Sequence, residues 1–338
     1  MANDVTLTCR LNKASLPVMN TQQLAYVLIE AVPGAGVARV QMPLNLSLVL
    51  DKSGSMSGKK IQNLRQAAKL VEDRLRPQDT ISIEDYSDRK YLIAKSHPVV
   101  DQQDLKRKID RIRDGVGSAI SGGMGQGLAE LAKALSPDRV SRMLLLTDGQ
   151  TFGDEKQCLK LGKKAGASGI VVNALGLGDD WNEDLLDDIA EASGGVADFI
   201  DSPDKIVAFF EQAVKSMQDT VVQNAQLVLR LASGVTPRQV WQVLPMISNL
   251  GYRPLSDRDV QVTLGELEKS QPRSLLVELL ISPRPAGSYR IAQAEIDYDV
   301  PGLKLIGEKI KTDIMLDFSA DALLAKRYDL SLIHISEP

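Results

Sequence analysis

Leu44-Asn-Leu-Ser-Leu-Val-Leu50-Asp51-Lys52-Ser53-Gly54-Ser55-Met56 is the stretch on which the reading of this chain turns. Its first seven residues are mostly apolar, as a strand buried on both faces requires. Three oxygen-bearing side chains then follow at i, i+2 and i+4, before any helical pattern begins. After them Ile61, Leu64, Ala68, Val71 and Leu75 fall three or four residues apart, one face of a helix. A strand that feeds a helix through a polar loop is the opening of an α/β unit, and ligands of such folds bind at the carboxyl ends of the strands.

The same alternation runs on to about residue 218. Ile81 to Tyr86 and Tyr91 to Ala94 read as strands, and Gln102 to Arg113 as a charged helix. Leu128, Leu131, Ala132 and Leu135 mark another helix, entered through a glycine-rich turn. Met143 to Leu146 and Ile170 to Leu177 are short apolar strands, Asn182 to Ala192 a helix closed by Gly194-Gly195, Val196 to Ile200 a strand and Lys205 to Met217 a last helix. The expected fold is α/β: a doubly wound, Rossmann-like, mostly parallel sheet with helices on both faces. The flanks alternate instead with period two, at 5–11, 24–29, 225–231, 260–264, 275–281, 289–298 and 310–318. That is the pattern of antiparallel strands with one wet face. A lone amino-terminal hairpin is marginal, so residues 1–43 are expected to complete a β-sandwich with residues 219–318, the α/β domain of 44–218 being inserted between them. Ser319 to Asp329 begins like a further helix. Leu330 to Pro338 resembles the in-frame translation of a sequencing adapter, so that His334 carries no functional argument.

Composition narrows the partners. The chain has 338 residues, a net charge of −4, 43% hydrophobic and 25% charged residues. Nothing there favours nucleic acid or an anionic membrane, and the basic run from Lys106 to Arg113, interleaved with Asp104, Asp110 and Asp114, reads as a solvated helix face. No run approaches the roughly 18 apolar residues of a membrane span, and the amino terminus lacks the pattern of a secretory signal. Two cysteines, Cys9 and Cys158, and two histidines leave little material for disulfides, zinc or a histidine-based triad. These features fit a cytoplasmic protein.

Two further segments are expected at the Asp51 loop. Met143 to Leu146 delivers Thr147-Asp148-Gly149, and the turn Gly115-Val-Gly-Ser118 delivers a hydroxyl. Asp51, Ser53, Ser55, Ser118 and Asp148 would then converge with no sulfur or imidazole among them, the donor set of a hard cation. Mg²⁺ with retained water fits so few carboxylates better than Ca²⁺ with its six to eight oxygens, and Mn²⁺ could substitute. Two carboxylates against one divalent ion leave the site roughly neutral, and an open coordination position would accept a carboxylate from a partner protein.

At these residues the sequence resembles a von Willebrand factor A domain of bacterial type. Asp51-Lys-Ser-Gly-Ser-Met56 matches the DxSxS metal-ion-dependent adhesion motif, and Thr147-Asp148-Gly149 matches its second aspartate. The segment from Gly178 to Gly195 resembles the one after the fifth strand. Ser118 stands where the family usually has threonine, which keeps a hydroxyl but loses the methyl that restricts its rotamer. The resemblance covers about residues 44 to 218. It implies Ser53, Ser55 and Ser118 as direct ligands, with Asp51 and Asp148 often acting through water, in a protein that binds partners and is not an enzyme.

Enzymatic readings are weaker. Gly54-Ser-Met-Ser-Gly58-Lys59 has three residues between its glycines where a phosphate-binding P-loop needs four, and Lys60 follows where Ser or Thr should. A Mg²⁺-dependent phosphatase with Asp51 as nucleophile, and Gly178-Asp179 with Glu183 as a late metal motif, would need an aspartate general acid where Ser53 stands. Metal-assisted hydrolysis would need a base, for which Glu84 and Asp85 are the nominees.

Overall fold

A computed structural model describes residues 4–86, 90–100, 102–115, 119–149, 151, 153–178, 181–269 and 271–321. Ser118, Asp179, the helix expected up to Asp329 and the tail from Leu330 therefore lie outside the described residues, Ser319 to Asp321 excepted. The chain divides into two units, Met42–Gln218 and the flanks Met1–Gln41 with Asp219–Pro338.

The leading flank supplies β1 (Val5–Leu11), β2 (Ser15–Pro17) and β3 (Gln23–Pro33). The central unit then runs β4 (Leu44–Asp51), α1 (Lys59–Arg74), β5 (Thr80–Tyr86), β6 (Lys90–Pro98), α2 (Gln102–Ile109), α3 (Ile120–Leu131), β7 (Val140–Thr147), α4 (Glu155–Ala167), β8 (Val171–Leu177), α5 (Glu183–Ser193), β9 (Ala197–Ile200) and α6 (Ile206–Asp219). The trailing flank adds β10 (Thr220–Leu231), β11 (Val235–Leu244), β12 (Ser248–Asn249), β13 (Arg253–Pro254), β14 (Asp259–Glu268), β15 (Arg273–Ile281), β16 (Gly287–Val300) and β17 (Leu305–Ser319).

In the central unit the sheet order is β6-β5-β4-β7-β8-β9, parallel except for β6, which runs against β5. Every residue of β4 and β7 is buried, as expected of parallel strands covered on both faces. On one face Val49, Met143 and Leu145 pack with α3, α4 and α5 in a common core. Leu46, Leu48 and Leu50 point to the opposite face and are equally buried, while α1 buries Ile61, Leu64, Ala68 and Val71.

The flanks form two sheets, β1-β3-β15-β11-β12 and β13-β14-β10-β16-β17-β2. Val27, Ile29, Leu275 and Val277 of the first share one core with Leu227, Leu229, Ala294 and Ile296 of the second. This is the sandwich that alternating patterning implies. Its strands are antiparallel except that β2 pairs with β17 in parallel.

Several elements depart from the sequence pattern. The helix expected up to Arg113 ends at Ile109, its last buried residue. Gly122, Gly123, Gly125 and Gly127 lie in α3, which stops at Leu131 and does not reach Leu135. A Cβ on Gly127 would lie 2.6 Å from Ser47 Oγ and 2.8 Å from Val49, and one on Gly123 would lie 2.6 Å from the Tyr86 ring. The glycines let α3 lie directly on the sheet. Helix α4 and strand β11 had no distinct signature: α4 buries Cys158, Gly162 and Ala165, small residues that draw no apolar stripe, and β11 carries Pro237 among polar residues.

Contact overrides propensity here, and the sign of a substitution follows. Glycine to alanine in a helix interior ordinarily gains up to about 1 kcal/mol. Gly125, whose Cβ would meet nothing closer than 4.0 Å, should behave so. Gly127→Ala and Gly123→Ala should instead lose about 1–3 kcal/mol through overpacking. Chemical denaturation of the three variants measures the contrast.

Candidate metal centre

Strand β4 ends on Asp51, which is fully buried. A carboxylate there must find donors, and it does: Ser53 N donates to Oδ1 at 2.8 Å, and Thr147 Oγ1 at the end of β7 donates to Oδ2 at 2.8 Å. Burial raises the Asp51 pKa, the Ser53 and Thr147 donors pull it back, and the charge of Asp148 adds to the rise. Lys52 is pinned between its neighbours, its N–H donating to Tyr86 O at 3.0 Å and its carbonyl accepting from Gly115 N at 2.5 Å. The loop then closes as a 3₁₀ turn over Gly54–Met56, with Met56 buried beneath it. Gly54 is not the residue that needs glycine's freedom. That residue is Gly58, at φ 73° just before α1, a left-handed conformation that favours glycine.

With the loop held this way, Ser53 Oγ lies 2.9 Å from Ser55 Oγ, and both approach Asp148 Oδ1, at 3.3 and 2.7 Å. Asp148 Oδ2 accepts from Lys60 Nζ at 2.5 Å. Asp51, Ser53, Ser55 and Asp148 are thus brought to one place, while Ser118 is outside the described residues. The sequence reading had no role for Lys60 and gave Thr147 none as the donor to Asp51. The pair Lys59-Lys60 at a helix start, where a cation opposes the helix dipole, was the available signal.

Among the described residues no group of three or more His, Cys, Asp or Glu side chains gathers as a metal-holding cluster. The oxygens here are instead mainly hydroxyls. Neighbouring ligands around an octahedral ion with oxygens at 2.0–2.1 Å lie about 2.9 Å apart. The spacings of 2.7, 2.9 and 3.3 Å fit one triangular face of such a shell, so these residues could hold a small hard cation. Both cysteines are free, and burial pushes each thiol up to about 12, so neither offers a thiolate at neutral pH.

The enzymatic nominees point elsewhere. Asp85 is held by Lys52, at 3.2 Å. Glu84 lies under α3 and accepts from Ser47 Oγ at 2.7 Å. No hydrogen bond among the described residues links either to the serine–aspartate cluster. Trp181 covers Gly176 and stacks on Phe199 at 6.1 Å between centroids, which makes it packing material.

The fold and its strand-end cluster define a Rossmann-like α/β domain accompanied by antiparallel sheets. Residues 45–218 match the family model of the von Willebrand factor type A domain, and the chain belongs to that family. The Synechocystis sp. protein sll0103 is 35% identical over 265 residues, covering 77% of this chain and 63% of that protein. The mouse inter-alpha-trypsin inhibitor heavy chain H2 is 29% identical over 188 residues, 51% of this chain and 20% of that one. The chain therefore spans less than two thirds of either relative. Among solved structures, a von Willebrand factor type A protein from Catenulispora acidiphila shares the fold with a TM-score of 0.78 over 98% of this chain and 78% of that one, at 17% identity.

Glu84 gives a test of the sheet beneath the site. Burial raises its pKa from 4.5 to about 7, with the Ser47 and Ser82 hydroxyls opposing and the charge of Glu130 adding. The folded state then holds the proton more tightly, so its contribution is complete below pH 4.5 and is lost as pH rises through about 7. Glu84→Gln should match the wild type at pH 4.5 and exceed it by up to about 3 kcal/mol at pH 8. Urea unfolding at the two pH values reads the difference.

Proposed function

We propose that this chain is a metal-dependent protein-binding protein in which Asp51, Ser53, Ser55, Ser118 and Asp148 hold one divalent ion, Mg²⁺ or in its place Mn²⁺ or Ca²⁺, and that the ion captures an Asp or Glu of another protein. In this reading the A domain of 44–218 is the binding element, and the sandwich of 1–43 and 219–318 is the frame that carries it. The observation behind it is the cluster of two serine hydroxyls and a carboxylate within 3.3 Å of one another, at the carboxyl ends of two central strands. When bound, the ion would supply a Lewis-acidic position for a carboxylate oxygen. The chain's own residues orient that position and keep Asp51 desolvated.

The phosphatase reading loses support from the same geometry. Asp51 is fully buried and each of its oxygens already accepts a hydrogen bond, which suits a carboxylate that acts on an ion through water better than one that must attack phosphorus directly. Ser53, in the place of the general acid, is a poor proton donor at neutral pH. We therefore infer a non-enzymatic role. We place the protein in the cytoplasm of a bacterial cell, on its resemblance to bacterial members of the family and its two cysteines. No helix among the described residues is long and apolar enough to cross a membrane.

Immobilised chain incubated with lysate of its source cell in Mg²⁺ should retain a partner that EDTA releases. Asp51→Ala and Asp148→Ala should lose at least about tenfold of that capture, the lower end of what losing a residue that supports a metal's ligands costs. Capture that persists in EDTA, or in the Asp51→Ala variant, rules the mechanism out. Hydrolysis of generic phosphoesters that Asp51→Ala abolishes would restore the enzyme.

A further inference from the structure

Lys60 is an odd residue where it stands. It is the second residue of α1, whose first turn holds no acid and whose N-cap, Gly58, offers no side-chain acceptor. A helix start already carries positive partial charge, so a lysine there is unfavourable unless something compensates it. The compensation is Asp148, whose side chain is fully buried and whose Oδ2 lies 2.5 Å from Nζ, while the Lys60 side chain keeps 29% exposure. The other oxygen of the same carboxylate faces the two serine hydroxyls. One carboxylate thus serves the ammonium with one oxygen and the candidate ion site with the other.

We infer that Lys60 is a resident counter-cation of the metal site: it neutralises Asp148 before an ion arrives and stays beside the ion afterwards, holding affinity for the metal down and leaving the loaded site positively charged. This rests on the metal reading proposed above. Without Lys60 two carboxylates balance one divalent ion; with it, one positive charge is left over. That surplus favours an acidic partner at the site, and it lowers metal affinity through charge repulsion at short range. It also gives Asp148 a charged partner when no metal is bound, where two neutral hydroxyls alone would leave a buried charge poorly compensated.

The test compares the full-length wild type with Lys60→Met, Lys60→Arg and Asp148→Ala, using Mn²⁺ alone as the probe and electron paramagnetic resonance of free Mn²⁺ as the readout. Lys60→Met should bind Mn²⁺ about tenfold more tightly, an effect that shrinks in 1 M salt as screening demands. Its melting temperature without divalent ions should fall below that of the wild type, and its gain on adding Mg²⁺ should be the larger of the two. Lys60→Arg, which keeps the charge, should follow the wild type in both measurements. Asp148→Ala should bind no Mn²⁺. If Asp148→Ala loses binding but Lys60→Met binds no more tightly than the wild type, the counter-cation inference falls and the metal site stands. If neither the wild type nor Lys60→Met binds Mn²⁺, both fall.

Discussion

A buried carboxylate that must be satisfied organises the carboxyl-terminal edge of the central sheet. Asp51 stands at zero exposure at the end of a strand with a neighbour on either side, and an unpaired charge in that position would cost several kcal/mol. Its two oxygens recruit the amide of Ser53 and the hydroxyl of Thr147. The first bond folds the loop back over its own strand. The second ties it to β7, so that Asp148, one residue on, arrives opposite the serine hydroxyls. Strand adjacency makes this reachable, because β4 and β7 are paired from Leu44↔Val140 to Leu50↔Leu146.

The layer beneath is set by contact distance. Tyr86 sits fully buried and donates to Leu146 O at 3.2 Å, and α3 comes down on it through Gly123. A bulkier residue there would lift the helix off the sheet that carries the loop. The glycines of α3 thus make a flat helical face, and the layer beneath the strand-end cluster is set by how closely they let the helix approach.

Much of this was legible beforehand, for reasons that can be stated. Strands such as 44–50 and 143–146 announce themselves because burial on both faces leaves an unbroken apolar run. Asp51, Ser53, Ser55 and Asp148 could be placed together because parallel strands present their carboxyl ends on one side. What stayed hidden depends on tertiary contact. Helix α4 buries small residues that give no periodic stripe, and the three-residue β2 is a strand only because β17 is beside it. The pairing of Lys60 with Asp148 spans 88 residues; its local trace is a lysine pair at a helix start, which looks like surface until the partner is known.

The pairing of the flanks has a consequence for how the protein is made. Strand β3, at Gln23–Pro33, finds its neighbour β15 only at Arg273–Ile281, and β2 finds β17 only at Asp317–Ser319. At about 5–20 residues per second on the ribosome, the amino-terminal hairpin waits roughly ten to fifty seconds for the strand that completes its sheet. The central unit, by contrast, has all its strands by Ile200. Biosynthesis therefore passes through an interval in which the α/β unit can be finished while β1 and β3 still present an unpaired strand edge, the kind of surface that chaperones shield.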